Sequence, residues 1–177
     1  MVLVSDKMTN SEKPRPQRRS GGRSRSASRL AVVQALYQME LSGQDSETAI
    51  SEFIEHRMGQ EIEGQHYPDA DHKYFAGIVR GVIARQDEID QALARATGKS
   101  WAYDRIDTIM RAILRASSFE FLGNDNVPIR VIVDEYMKVA GAFYEDKSDE
   151  MTFLGGILYR VAREFRPDDA ATLGPST

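Results

Sequence analysis

Apolar residues recur through the second half of this chain with the period of an α-helix. Ile106, Ile109, Met110, Ile113, Leu114, Ser117 and Phe121 follow i, i+3, i+4, i+7 and i+8 spacing. That spacing lines one face of a helix and excludes a strand, whose side chains alternate with period two. Asp104 stands where an N-cap is expected, with Asp107 in the favourable first turn. The same period recurs elsewhere. Leu30, Val33, Leu36, Tyr37 and Leu41 mark a first helix closed by Gly43, and Thr48 to Met58 a second, weaker one. Phe75, Ile78, Val79, Val82, Ile83, Ile89 and Leu93 predict one long helix ending near Gly98, with Gly77 and Gly81 placed for close packing. Pro128 suits a first helical position, ahead of Val131, Ile132, Glu135, Tyr136, Val139 and Phe143. Ser148-Asp149-Glu150 opens a last helix carrying Phe153, Leu154, Ile157, Leu158 and Val161. The β-branched run at Val131–Val133 is the only strand-like stretch, and its flanks favour helix. The expected fold class is all-α.

The ends differ from this body. Residues 1–25 lack apolar period and are rich in Ser, Arg, Pro and Gly. Such a segment buries too little apolar surface to offset its chain entropy, so a disordered arm is expected. A helical domain is expected over 26–165 and a loose tail over 166–177. Charge divides along the same line. Residues 1–29 hold eight basic and two acidic groups, a net +6, whereas the whole chain carries −4, which leaves the rest at −10. A basic arm on an acidic body points to a polyanion partner for the arm.

Several chemistries are excluded or unsupported. With no cysteine there are no disulfides, thiolate metal sites or cysteine nucleophiles. His56, His66 and His72 match no compact metal-ligand spacing. The acidic groups at Asp87-Glu88-Asp90 and Glu145-Asp146 read as solvated faces, and no phosphate-cradling glycine loop or nucleophile elbow occurs. No cofactor and no catalytic site are expected. The start lacks a basic region followed by a long apolar stretch, and no apolar run reaches the roughly 18 residues of a membrane span. No membrane partner and a cytoplasmic location are therefore expected. Arg18, Arg19, Arg23, Arg25 and Arg29 precede a helix that carries Gln34 and Tyr37. Arginine, an amide and an aromatic are the groups that contact phosphates, read base edges and stack on unpaired bases. The helical spacing of Tyr37 by itself favours a place in the core.

Ser28-Arg29-Leu30-Ala31-Val32-Val33-Gln34-Ala35-Leu36-Tyr37-Gln38 resembles the first-helix signature of the NusB family of transcription antitermination factors. Asp104-Arg105-Ile106-Asp107, Arg111 to Ala116, Phe119-Glu120, Val127 to Val131, Asp134-Glu135 and Phe153 to Leu158 agree with it in order and spacing. The resemblance spans about residues 25–165. It implies two small helical bundles packed as one domain. It also implies a non-catalytic role: binding, with the ribosomal protein NusE, of the boxA element in ribosomal RNA leader transcripts, within an RNA polymerase antitermination complex that reads through terminators. By the same resemblance the RNA-contacting residues fall on Arg25 and Arg29, with Arg23 close by, and on Gln34, Tyr37 and Phe153. The family's basic residues in later helices fall on Arg115 and Arg130. A helix arginine amid core residues, such as Arg115, serves equally as an ion-pair partner or an RNA contact. Phe153-Leu154-Gly155-Gly156 replaces the usual Phe-Val-Asn-Gly, and the loop over 144–149 is about two residues longer than usual. The competing expectation is a helical protein-binding adaptor without specific RNA recognition. A homodimer would need exposed apolar surface. A fused RNA methyltransferase, known beside NusB-like modules, is not expected in a chain of this length.

Overall fold

The computed structural model describes residues 20–58, 70–98 and 102–173, together with the backbone of 61–62 and 65–66. Residues 1–19, the remainder of 59–69 and residues 174–177 lie outside the described residues, so the expectations for the arm's first part and the chain's last four residues fall there.

Eight α-helices make up the described body: α1 (Ser20–Ser42), α2 (Ser46–His56), α3 (His72–Ala84), α4 (Gln86–Thr97), α5 (Thr108–Gly123), α6 (Ile129–Ala140), α7 (Asp149–Phe165) and α8 (Pro167–Ala170). A two-residue antiparallel pair, β1 (Glu61–Ile62) with β2 (Gln65–His66), interrupts the connection between α2 and α3. Helices α1, α2 and α3 pack together as one bundle, and α4, α6 and α7 gather around α5 as a second. Helices α1 and α3 both lie against α5, so a single apolar core joins the bundles. That is the all-α class expected from the apolar spacing and the two-bundle arrangement implied by the resemblance.

Helix ends follow local chemistry. Gly43 closes α1 with φ +69°, a conformation most side chains resist, and its N–H reaches Met39 O at 2.9 Å. Asp45, Asp71 and Ser148 cap α2, α3 and α7 by accepting from the N–H groups of Thr48, Tyr74 and Met151. Gly81 sits under the ring of Phe119, where any Cβ would overlap the ring, so α3 approaches α5 closely at this point.

Four boundaries differ from expectation. Helix α1 begins at Ser20, so residues 20–25, expected in a disordered arm, are helical. Serine and glycine favour helix poorly; hydrogen bonds within the helix and to Asp71 and Glu135 hold these turns. Ser28 Oγ donates to Ser24 O (2.9 Å) and Asp71 O (3.0 Å), and Ser26 Oγ donates to Gly22 O and to the Glu135 carboxylate. The single helix expected over 75–98 is two, divided at Arg85 (φ −117°, ψ 20°), whose guanidinium forks onto Glu88. The N-cap of α5 is Asp107, accepting from Met110 N at 3.0 Å, while Asp104 lies in a short 3₁₀ turn, Tyr103–Arg105. The tail expected to be loose from 166 carries α8 and a 3₁₀ turn, Ala171–Leu173. Arg166, buried, holds it by donating to the carbonyls of Asn124, Asp125 and Val127 and to Asp169.

Candidate nucleic-acid interface

At 3.6 residues per turn, Arg23, Leu30, Gln34, Tyr37 and Leu41 fall within one stripe roughly 60° wide on α1. From Arg23 to Leu41 the stripe runs about 27 Å. The opposite side of α1 supplies core: Val32, Val33, Ala35 and Leu36 are buried. One helix thus anchors the fold with one face and presents the other.

Two grooves lie end to end along that stripe. The amino-terminal one, about 770 Å³, runs between α1 and α6. Its α1 wall carries Arg23, Arg25, Ser26 and Leu30; its α6 wall carries Val131, Glu135, Lys138 and Val139. The second, about 470 Å³, is lined by Gln34, Tyr37, Gln38 and Leu41 of α1, with Arg57, Ile109 and Phe143. Ala142 belongs to the first groove and Phe143 to the second, so the two adjoin at the carboxyl end of α6. The lining passes from cationic to aromatic and apolar. Tyr37 is 36% exposed and Leu41 63%, although helical spacing alone favours the core for Tyr37. The pattern could not reveal this, because the α1 apolar stripe is wider than the face α1 buries.

Beneath the cationic groove lies a buried charge network. Arg29, 5% exposed, donates from Nε and Nη2 to both oxygens of Glu120 (2.7 and 3.1 Å), from Nη1 to Glu135 (3.1 Å) and from Nη2 to the Tyr74 hydroxyl (2.8 Å). Tyr74 in turn donates to Glu120. Burial alone would lower the Arg29 pKa; hydrogen bonding and charge from Glu120, with Glu135 adding, reverse this and hold it above the usual arginine range. Burial also pushes Glu135 upward, but donation from Ser26 and Lys138 and the charges of Lys138 and Arg29 win, so its carboxyl lies below the usual range. Tyr136, fully buried beside Arg29, is pushed well above 10, chiefly by burial and then by the Glu120 charge. The Arg25 guanidinium lies 5.3 Å from the Tyr74 ring centroid and remains exposed, as does Arg23.

The site residues expected from sequence are therefore divided. Arg23 and Arg25 are exposed and line the first groove, while Gln34 and Tyr37 line the second. Arg29, expected as a direct contact, borders the first groove with its donors engaged by Glu120, Glu135 and Tyr74. Arg115 is paired with Asp90 (2.8 Å) and Glu40 (2.9 Å), inside a cluster that also holds Arg111 and Tyr103. Phe153 is half-buried on α7 and lines neither groove. Sequence reasoning missed Arg57, just after α2, and Lys138 and Phe143, on and just after α6, as groove residues, since all are distant from α1 in the chain. Among the described residues there is no cluster of three or more His, Asp or Glu side chains suited to a metal, and no helix long and apolar enough to cross a membrane.

Fold and grooves together define a two-bundle, all-α protein that presents one face of its first helix. The same fold occurs in the NusB of T. maritima, at TM-score 0.66 and 26% identity over 83% of this chain and 96% of that one. It occurs too in a crystal structure of the antitermination factors NusB and NusE in complex with double-stranded RNA, at TM-score 0.66 and 17% identity over 81% and 98% of the two chains. The NusB family model matches residues 26–163, and the chain belongs to the NusB family. The transcription antitermination protein NusB of Sinorhizobium fredii is 42% identical over 159 residues, 90% of this chain and 97% of that protein. Membership places the chain among antitermination proteins and not among enzymes.

Proposed function

We propose that this protein is an RNA-binding transcription antitermination factor which, with NusE, binds boxA RNA of ribosomal RNA leader transcripts and promotes terminator read-through by RNA polymerase. The observation that carries this reading is the exposed side of α1, where Arg23 and Arg25 line the first groove and Gln34 and Tyr37 line the adjoining one. Exposed arginines at the amino end neutralise phosphates. Gln34 offers an amide to base edges, and Tyr37 a half-exposed ring for stacking. Arg29 acts indirectly: its buried pairs with Glu120 and Glu135 orient the turns that carry Arg23 and Arg25. Arg115 serves the fold through Asp90 and Glu40. The acidic remainder of the surface suits a basic ribosomal protein such as NusE.

The test is a fluorescence anisotropy titration of labelled boxA RNA and a scrambled RNA, with and without NusE. Preference for boxA, strengthened by NusE, is the expected outcome, because two partners that favour the same state are thermodynamically coupled. Equal weak binding of both RNAs would overturn it and leave a helical protein-binding adaptor with a non-specific basic end.

A further inference from the structure

The charge of the groove lining departs from that of the body. On a surface whose net charge beyond residue 29 is −10, the aromatic groove carries no carboxylate and one cation, Arg57, at its far end from the arm. Arg57 follows α2, and three contacts set its position. Its N–H bonds Phe53 O, its guanidinium lies 4.5 Å from the centroid of the buried Phe53 ring, and Nη2 donates to Gln38 Oε1 at 3.1 Å. Its pairing with Glu52 is loose, at 3.7 Å, and Glu52 also accepts from both Gln38 and Gln44 at 3.1 Å. With its side chain 47% exposed, Arg57 keeps donors directed to solvent at the groove mouth.

We infer that Arg57 is a phosphate-binding residue that ends an extended single-stranded RNA path along the whole exposed face of α1. The inference rests on the proposed RNA-binding function. A cationic end, an aromatic middle and a second cation held in place at the other end match a polyanion with unstacked bases. The path therefore reaches the end of the second helix of the amino-terminal bundle, where Arg57 meets Gln38 about 22 Å along α1 from Arg23.

The experiment titrates the full chain and its Arg57→Gln and Arg23→Gln/Arg25→Gln variants with two labelled single-stranded RNAs across a salt series. One is boxA RNA alone; the other carries added nucleotides at both ends. Arg57→Gln is expected to weaken the longer RNA about three- to tenfold. It should also reduce the magnitude of its logarithmic salt slope by about 0.7, one phosphate contact on a single strand. Arg57→Lys, which keeps the charge, is expected to retain the slope. If Arg57→Gln matches the parent on both RNAs while Arg23→Gln/Arg25→Gln weakens both, the path ends before Arg57 and this inference is overturned alone. If neither variant changes RNA binding, the RNA-binding function falls with it. Loss of NusE binding without loss of RNA binding in Arg57→Gln would make the aromatic groove a protein seat, and would likewise overturn the inference.

Discussion

Arg25 and Arg29 stand one helical turn apart and are chemically identical, yet their replacement by alanine should give opposite phenotypes. The Arg29 side chain is 6% exposed and its partner Glu120 2%. Arg29→Ala removes both guanidinium contacts to Glu120 and leaves that carboxylate buried with the Tyr74 hydroxyl as its remaining donor. Breaking such a pair by deleting one partner costs about 3–5 kcal/mol. In a chain of this length each kcal/mol lowers Tm by about 2–4 °C, so a drop of roughly 10 °C is expected. Arg25→Ala removes an exposed cation over one aromatic ring and should cost about 1 kcal/mol at most. For RNA the order reverses. Under conditions where both variants are folded, Arg25→Ala should reduce the magnitude of the salt slope by about 0.7 and Arg29→Ala by less. Urea denaturation followed by circular dichroism gives the stabilities, and anisotropy in a salt series gives the slopes. An Arg29→Ala protein within 1 kcal/mol of the parent, or an Arg25→Ala protein with an unchanged slope, would falsify this division.

Other consequences can be measured on the same footing. The folded-state pKa of Glu135 lies below its unfolded value, so its contribution is present above about pH 4.5 and is lost as pH falls through the folded value. Glu135→Gln should flatten the pH dependence of stability in that acidic window, and an unaltered profile would count against the network. The buried Tyr136 hydroxyl has no well-formed hydrogen bond. Tyr136→Phe should therefore stay within about 1 kcal/mol of the parent in urea, whereas a larger loss would reveal an active role for the hydroxyl. Asp107→Ala removes the α5 cap and the acceptor for Tyr144, and should cost about 1–2 kcal/mol in the same assay. Arg115→Ala should destabilise the chain while leaving the RNA salt slope unchanged; a lower slope would return Arg115 to the RNA surface.

Helices were legible where apolar spacing and capping chemistry agreed, as at Gly43 and Ser148. The division between α3 and α4 was not. Val82 and Ile89 are seven residues apart, two full turns, so the apolar stripe stays in phase across the break. Asp104 and Asp107 are equivalent as sequence-level caps, and only the 3₁₀ turn separates them. In the candidate site, the residue types were legible and their burial was not. Arg29 sits in a run of arginines and looks like its neighbours, because its partners Glu120 and Glu135 lie 91 and 106 residues away. Arg166 was invisible for the same reason: its acceptors are backbone carbonyls of a turn some 40 residues earlier.

The network beneath the cationic groove also has a genetic consequence. Glu135 belongs to α6, yet it holds Ser26 and Arg29 at the start of α1. On the proposed RNA-binding reading, a loss-of-binding allele can therefore arise in α6 without any change to an arginine of α1. Second-site suppressors of such an allele should map to the opening turns of α1 or to Glu120. The acidic half of this protein is thereby part of the inheritance of its basic end.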